Sequence, residues 1–317
     1  MTTTASDPAL SRVLAVLTGK GGAGKTSVTA NTAGQLARGG LTVLCIDLDL
    51  SGNLGLDLGY TGRSGDDGGR GIVSSVWTDD DLPIIRGVRP NLDVIPGGRH
   101  LEMLTALSMS PTAAELPSGG VPAAFAAKVA EIAEDYDVVL LDCAPGNPVL
   151  QDLALAAARY ILIPTKTDAG GWDGLRMVGP RVKKARELNP ALTYLGAVLF
   201  AHSTSAKRVL RNTRARLEEV GDRVPLFETF IRHSETAAHD CRSRGQLAHE
   251  LAADATVSRT EHLHALRNRT PGAAQVLPQQ LSGSADSLAG DYAELAREVL
   301  QRITAHEATT PLAQVGR

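Results

Sequence analysis

The sequence predicts an α/β protein, a single domain with a mostly parallel β-sheet and helices on both of its faces. Two observations lead to this prediction. Short runs of consecutive apolar residues alternate with longer helical stretches along most of the chain, and the first of these runs leads through a glycine-rich loop into a helix. Strands without polar positions are buried on both sides, as they are in a parallel sheet that crossover helices cover.

The first βαβ unit lies near the start of the chain. The apolar residues 13–17 predict a strand, and residues 27–37 predict a helix that ends at two glycines, Gly39 and Gly40. Residues 41–46 form the second apolar run. A strand, a helix and a strand at this spacing indicate a parallel pair with a right-handed crossover.

Further elements follow in the same alternation. We expect strands at residues 91–97, 136–142, 160–164, 195–200 and 228–231, a helical turn at 72–77, and helices at 123–135, 151–159, 173–188, 205–220 and 288–303.

The domain is expected to span residues 12–306, between loose tails at residues 1–11 and 307–317. Residues 254–286 mix polar residues with Pro, Gly and Ser. This composition predicts a linker or a flexible insertion within the domain.

Composition and charge limit the class of protein. The net charge of −3 excludes a generally basic nucleic-acid binder but allows a local basic patch. Cys45, Cys143 and Cys241 lie far apart without the spacing of a metal site or a disulfide framework, which favours the reducing cytoplasm. No apolar run is long enough to cross a bilayer, and the polar start of the chain lacks a signal peptide's apolar segment.

The loop of residues 18–26 has the features of a phosphate-binding loop. Its glycines let successive backbone N–H groups point at phosphate oxygens, and the following helix adds its partial positive charge. Lys25 would reach the β- and γ-phosphates, and the Thr26 hydroxyl would bind Mg²⁺. The predicted phosphate-binding residues are Gly21, Gly22, Ala23, Gly24, Lys25, Thr26 and Ser27.

Carboxylates follow two of the predicted strands. Asp47 and Asp49 end the second strand, and Asp142 ends the most apolar one. In an open parallel sheet these strand ends line the crevice where ligands bind. Three aspartates near a phosphate-binding loop are suited to hold Mg²⁺ directly or through water.

Residues 20–26, Lys-Gly-Gly-Ala-Gly-Lys-Thr, resemble the deviant Walker A motif of the ParA/MinD family of ATPases. The resemblance implies a P-loop NTPase fold in which Lys20 crosses a dimer interface to the partner's ATP. Residues 46–53 resemble the family's second signature, with Leu50 and Ser51 in place of the usual Pro-Gln. By that match Asp47 orders the water on Mg²⁺, Asp49 positions the attacking water, and Asp142 is a Walker B aspartate.

The resemblance extends over residues 12 to about 250. Where the family has Ile-Pro-Arg-Asn in contact with adenine, this chain has Ile231, Arg232, His233 and Ser234. In ParA proteins basic residues of the C-terminal region bind DNA without sequence preference. The residues that correspond here are Lys207, Arg208, Arg211, Arg214, Arg242 and Arg244.

The function implied by the resemblance is a cytoplasmic, nucleoid-associated ATPase with ATP and Mg²⁺ as cofactors. ATP would drive a sandwich homodimer that binds nonspecific DNA, and a ParB-like partner would stimulate hydrolysis, so that a plasmid or chromosome is partitioned. The predicted closing helix has a polar face of mixed sign, so we expect no membrane binding.

Three alternatives remain open on the sequence. One is an ATPase of the same fold that positions another cargo, as MinD or a carboxysome or cell-pole ATPase does. The second is an ATP-dependent metabolic synthetase of the same fold. The third, a DNA-binding module without hydrolysis, is disfavoured by the intact Lys20, Lys25, Asp49 and Asp142.

Overall fold

The computed structural model describes residues 7–202, 224–267 and 284–309. The strands of this part of the chain are β1 (Val13–Val16), β2 (Val43–Leu48), β3 (Ile85–Arg89), β4 (Leu92–Ile95), β5 (Val138–Cys143), β6 (Tyr160–Thr165), β7 (Thr193–His202) and β8 (Leu226–Arg232). They form one sheet in the order β3-β4-β2-β5-β1-β6-β7-β8, in which only the β3–β4 pair is antiparallel. The predicted fold class is therefore confirmed.

Helices cover both faces of the sheet. In the described residues they are α1 (Lys25–Arg38), α2 (Asn53–Leu58), α3 (Arg70–Thr78), α4 (Glu102–Ser108), α5 (Gly120–Ala133), α6 (Pro148–Ala157), α7 (Ala169–Ala185), α8 (Glu235–Arg244), α9 (Ala248–Arg267) and α10 (Ala285–Thr309).

Two apolar cores lie on opposite sides of the sheet because side chains alternate along each strand. In β1, Val13 and Ala15 point to the core formed with α3–α7, whereas Leu14 and Val16 point to the core formed with α1 and α8–α10. All four residues are fully buried. The central strands are therefore apolar except for Asp47 and Asp142 near their carboxyl ends, and these apolar runs are the pattern that predicted the strands from the sequence.

The sequence analysis missed β3, α2, α8 and α9. Strand β3 reads Ile-Arg-Gly-Val-Arg and lies half-exposed at the edge of the sheet, so it lacks the apolar pattern of a central strand. The predicted basic helix at residues 205–220 lies outside the described residues.

The flexible insertion predicted at residues 254–286 is wrong over its first part. Helix α9 continues to Arg267, and α10 begins at Ala285. Half of residues 254–267 are strong helix formers, namely Ala, Leu, Arg and Glu. The prolines and glycines that favoured a linker all lie at residues 271–283, beyond the end of α9.

Both predicted tails also contain ordered structure. Pro8–Leu10 form a 3₁₀ turn that Asp7 caps, and the Leu10 side chain is buried. At the other end α10 extends to Thr309. Near the two ends of the described chain, Arg12 and Glu307 form a bidentate ion pair with N–O distances of 2.7 and 2.9 Å.

Helix α10 covers the outer edge of β8. The carboxylate of Glu298 accepts hydrogen bonds from the backbone N–H groups of Glu228 and Thr229, both at 2.9 Å. The Arg302 guanidinium lies 3.9 Å from the centroid of the Phe227 ring. An edge strand whose N–H groups are occupied in this way is closed to pairing with another strand. No helix in the described part of the chain is long and apolar enough to cross a membrane.

Candidate active site

The glycine-rich loop joins β1 to α1 at the carboxyl end of the central strand. Gly22 and Gly24 have φ angles of 76° and 80°, which favour glycine. A Cβ at Gly24 would also lie 2.3 Å from the Phe200 ring. Both the backbone conformation and the lack of space therefore require glycine at this position. Lys25 is the first residue of α1, and its side chain is only 6% exposed. The preceding loop residues 20–22 are exposed to solvent.

Lys20, the second lysine, is exposed and lies against the first turn of α7. A Cβ at Gly170 would stand 2.8 Å from the Lys20 Nζ atom, and one at Gly174 would stand 3.3 Å from its Cβ atom. Two glycines of α7 thus provide the space that this side chain occupies within its own subunit.

Asp47 and Asp142 are register partners on the neighbouring strands β2 and β5, and both are fully buried. Burial raises the pKa of Asp142 to about 7, against the opposing effects of the Thr26 hydroxyl and the Lys25 charge. Burial and then the charge of Asp142 raise the pKa of Asp47 well above its usual range. Two carboxylates this close together favour a bound cation or proton.

Only one of these carboxylates has an oxygen without a partner. Asp47 accepts the backbone N–H groups of Asp49 at 2.9 Å and Leu54 at 3.3 Å. Asp142 accepts a hydrogen bond from Thr29 at 3.4 Å through Oδ1, while its buried Oδ2 has no hydrogen-bond partner among the residues that the structure describes. The Asp142 oxygen and the Thr26 hydroxyl beside it fit a magnesium ion, which prefers oxygen ligands. Asp47 fits better as a group that orients the loop around the metal.

Asp49 is hydrogen-bonded to Ser51, one of the two residues that depart from the family signature. Its Oδ1 atom accepts hydrogen bonds from the Ser51 backbone N–H at 2.9 Å and from the Ser51 hydroxyl at 2.6 Å. Asp49 is nearly buried at 8% exposure. The Leu50–Ser51 substitution therefore supplies a local turn that restrains this carboxylate.

A cavity of about 470 Å³ opens beside the loop, between Ser27 of α1 and the segment after β8. The four residues predicted to contact the base, Ile231, Arg232, His233 and Ser234, all line it. Two of their side chains have other partners. The Arg232 guanidinium makes a bidentate pair with Asp291 at 2.7 and 2.8 Å, and the Ser234 hydroxyl lies 2.6 Å from that of Ser284.

The cavity also contains residues that the sequence analysis missed, above all Asp57 and Phe200. Asp57 is 7% exposed, and burial raises its pKa against the opposing charge of Arg242. The sequence did contain an indication of a polar site at Asp57, because Asn53 and Asp57 are four residues apart and share one face of α2. Phe200 gave no signal, because only the tertiary structure brings β7 against the loop.

The predicted DNA-binding residues fall into three groups. Lys207, Arg208, Arg211 and Arg214 lie outside the described residues. Arg244 is exposed in the last turn of α8. Arg242 is directed toward α2 instead, where its Nε atom lies 3.6 Å from Asp57 and its guanidinium donates to Asn53.

A phosphate-binding loop and paired carboxylates at the carboxyl edge of a parallel sheet define a nucleotide-binding protein of the P-loop class. A family model described as an AAA domain, AAA_31, matches residues 11–194. The chain belongs to this family, and within it to the ParA/MinD group of ATPases whose loop signature it resembles.

Known proteins agree with this assignment. The chain is 33% identical to protein IncC of Escherichia coli over 56% of its own length, and it spans about half, 47%, of that relative. It is 29% identical to the chromosome partitioning protein ParA of Caulobacter vibrioides over 78% of this chain and 94% of that protein. A solved structure of cobyrinic acid a,c-diamide synthase from Mycobacterium smegmatis, with bound ADP and magnesium, superimposes with a TM-score of 0.60 at 25% identity, over 82% and 99% of the two chains.

Proposed function

We propose that this chain is an ATP- and Mg²⁺-dependent switch that partitions DNA. ATP drives a face-to-face homodimer, the dimer binds DNA without sequence preference, and a ParB-like partner stimulates hydrolysis and releases the dimer from the nucleoid. The observation that carries the proposal is the double-lysine loop, with Lys25 buried at the start of α1 and Lys20 exposed beside it. A loop that binds phosphate within one subunit does not need the second lysine.

The site residues take the following roles in this proposal. Lys25 and the backbone N–H groups of residues 21–27 hold the phosphates, and Thr26 and Asp142 hold Mg²⁺. The metal supplies positive charge against the charge that develops on the transferred phosphoryl group. Asp49, restrained by Ser51, positions the attacking water.

Lys20 has to leave its place on α7 to reach the nucleotide of a second copy. It is exposed, and no side chain in the described part of the chain pairs with its ammonium group, so this movement costs little. In the dimer it would act as an arginine finger does, adding charge that only the assembled site has. Dimerisation and hydrolysis would thereby be coupled through one side chain.

The proposal is tested by sedimentation and DNA retention of the full chain with ATP, with ADP and without nucleotide. We expect a dimer that retains DNA only with ATP, and an Asp49→Ala variant that stays dimeric. Lys20→Ala should bind ATP within about threefold of wild type but lose stimulated hydrolysis, by about 10³-fold if it acts as a finger. A monomer under saturating ATP, or equal loss of binding and turnover in Lys20→Ala, would contradict the proposal.

DNA binding is tested separately with Arg244. Because it is exposed, Arg244→Ala should weaken DNA retention and reduce the salt dependence of binding, with a slope smaller by about one or two charges per dimer. Arg297→Ala, which removes an exposed arginine from α10, is the control. Equal effects of the two variants would exclude a specific role for Arg244.

A synthetase is the second candidate, because the structural match to the M. smegmatis synthase extends over nearly all of that enzyme. ATP turnover that requires a small carboxylic acid and ignores DNA would favour it. A same-fold ATPase for another cargo, membranes included, would instead show ATP-dependent binding to that cargo, such as liposomes, and no DNA retention.

A further inference from the structure

A chain of polar contacts leads away from Asp49 along the loop into α2. The Ser51 hydroxyl donates to Asp49 at 2.6 Å, and the Asn53 side-chain amide donates to the Ser51 hydroxyl at 2.7 Å. The remaining side-chain oxygen of Asn53 accepts a hydrogen bond from the Arg242 guanidinium. The Ser51 hydroxyl donates its hydrogen to Asp49 and accepts the Asn53 N–H through a lone pair, and Asn53 accepts from Arg242 through its separate oxygen, so the three contacts can form together.

A second set of contacts leads from Arg242 back to the phosphate-binding loop. The Nε atom of Arg242 lies 3.6 Å from Asp57 Oδ1, which has no hydrogen-bond partner. The other Asp57 oxygen accepts a hydrogen bond from the Ser27 hydroxyl at 3.1 Å. Ser27 directly follows Thr26, so the path leads from Asp49, the proposed water-positioning carboxylate, to the residue next to a proposed magnesium ligand.

We propose that Arg242 is a positioning residue for ATP hydrolysis, which ties the Asp49 loop through Asn53 and Ser51 to Asp57 and Ser27 beside the phosphate-binding loop. This inference rests on the proposed ATPase function. Three members of this path, Ser27, Asp57 and Arg242, line the cavity beside the phosphate-binding loop. The loop of residues 49–53 is held from within by its own turn and by the Asp47 carboxylate, which accepts the Asp49 N–H. Arg242 adds an anchor from a distant part of the chain.

Arg242 suits the role of an anchor better than that of a DNA ligand. Its side chain is 47% exposed, and the buried half faces α2. A guanidinium can bind an amide and a carboxylate together because its donors form a rigid fork. Binding of a DNA phosphate by Arg242 would compete with Asp57 and leave a buried carboxylate unpaired, which is costly.

ATP hydrolysis by the full chain tests the inference. Arg242→Met keeps the apolar stem and removes the fork. We expect kcat to fall about tenfold, since a displaced Asp49 no longer aligns the water, while KM for ATP changes less than about threefold. Arg242→Lys should recover part of kcat. Arg297→Met is the matched control, since Arg297 is also paired with a carboxylate and 57% exposed, but its partner Glu294 lies on its own helix. The kcat of this variant should stay within about twofold of wild type.

A double-mutant cycle separates coupling from a merely structural effect. If Arg242 acts through Ser51, the Arg242→Met/Ser51→Ala double variant should be no slower than the slower single variant. Asn53→Ala, which removes the acceptor between them, should show the same loss of kcat and guards against misfolding of Arg242→Met.

Three outcomes would overturn the positioning role: unchanged kcat in Arg242→Met, multiplicative effects in the double variant, or loss of DNA retention with unchanged DNA-free hydrolysis. Wild-type protein without any ATP turnover would overturn the proposed function as well, whereas turnover that Arg242→Met leaves intact overturns the positioning role alone.

Discussion

At the scale of single residues, the site carries an energetic cost that a bound cation or a proton relieves. Asp142 is fully buried, its pKa is raised to about 7 by burial, and one of its oxygens has no partner. A buried carboxylate in this state destabilises the folded chain unless it is neutralised. The arrangement makes sense if the group is built to meet a cation, and it makes the free protein less stable than its core would allow.

We therefore predict that Asp142→Asn stabilises the nucleotide-free protein by about 1–2 kcal/mol, because the amide has the same size and no charge to bury. The same substitution should abolish the additional thermal stabilisation that Mg²⁺ gives to ATP-bound wild type. Thermal unfolding with ATP in EDTA and with ATP in Mg²⁺ measures both effects. A destabilised variant that still responds to Mg²⁺ would remove Asp142 from the metal site.

At the scale of elements, β8 depends on α10 for its outer edge. Glu298 accepts two consecutive backbone N–H groups of β8 and also binds Arg302, which in turn donates to the carbonyl groups of Leu195 and Leu226. Burial alone would raise the pKa of Glu298, but these hydrogen bonds together lower it. One helix thus holds the strand whose end lines the nucleotide cavity.

Glu298→Ala should destabilise the protein by about 1–3 kcal/mol, since it leaves backbone donors of β8 without acceptors. Because the pKa of Glu298 is lowered from 4.5 in the folded state, its stabilisation is present above that pH and is lost as the pH falls through the lowered value. Urea denaturation at pH 7 and at pH 4 measures the difference, which should shrink at the lower pH.

The control for this prediction is Glu294→Ala on the same helix. Glu294 pairs with Arg297 one turn away, and both side chains are more than half exposed at 59% and 57%. An exposed pair of this kind contributes at most about 0.5 kcal/mol. Equal losses in the two variants would mean that Glu298 acts as an ordinary surface charge.

At the scale of the whole molecule, one junction joins the N-terminal βαβ half to the C-terminal helices. Arg89 of the edge strand β3 binds Glu250 at 2.8 Å and the carbonyl oxygen of Gly245 at 2.9 Å. Gly59 and Gly245, both with positive φ, bring their backbones into direct contact there. At Gly59 and Gly245, where α2 and α8 end, the two backbones meet without a side chain between them.

Gly245→Ala should therefore cost about 2–4 kcal/mol, because its Cβ would lie 2.6 Å from the Gly59 Cα atom in addition to the strain of φ 60°. Gly62→Ala is the matched control, since its φ of 73° imposes the same kind of strain, but nothing lies within 4 Å of the new Cβ. It should cost only about 1 kcal/mol. Chemical denaturation of both variants isolates the contribution of the close approach.

The sequence by itself determined the sheet, its parallel strands and the location of the phosphate-binding loop. These features depend on local information: apolar runs of strand length, glycines that permit one backbone conformation, and carboxylates placed where strands end. Strand β3 and helix α9 escaped it, because an edge strand and a polar helix bury too little apolar surface to leave a periodic pattern.

Only the tertiary structure decided which side chains meet. Arg242 and Asn53 are 189 residues apart in sequence, and the lining of the cavity by Phe200 and Asp57 depends on how β7 and α2 pack around α1. In the structure the Arg232 guanidinium pairs with Asp291, although the position of Arg232 in the sequence had indicated a contact with the nucleotide. Contacts between distant segments follow from packing, and packing is a property of the whole folded chain that no single stretch of sequence contains.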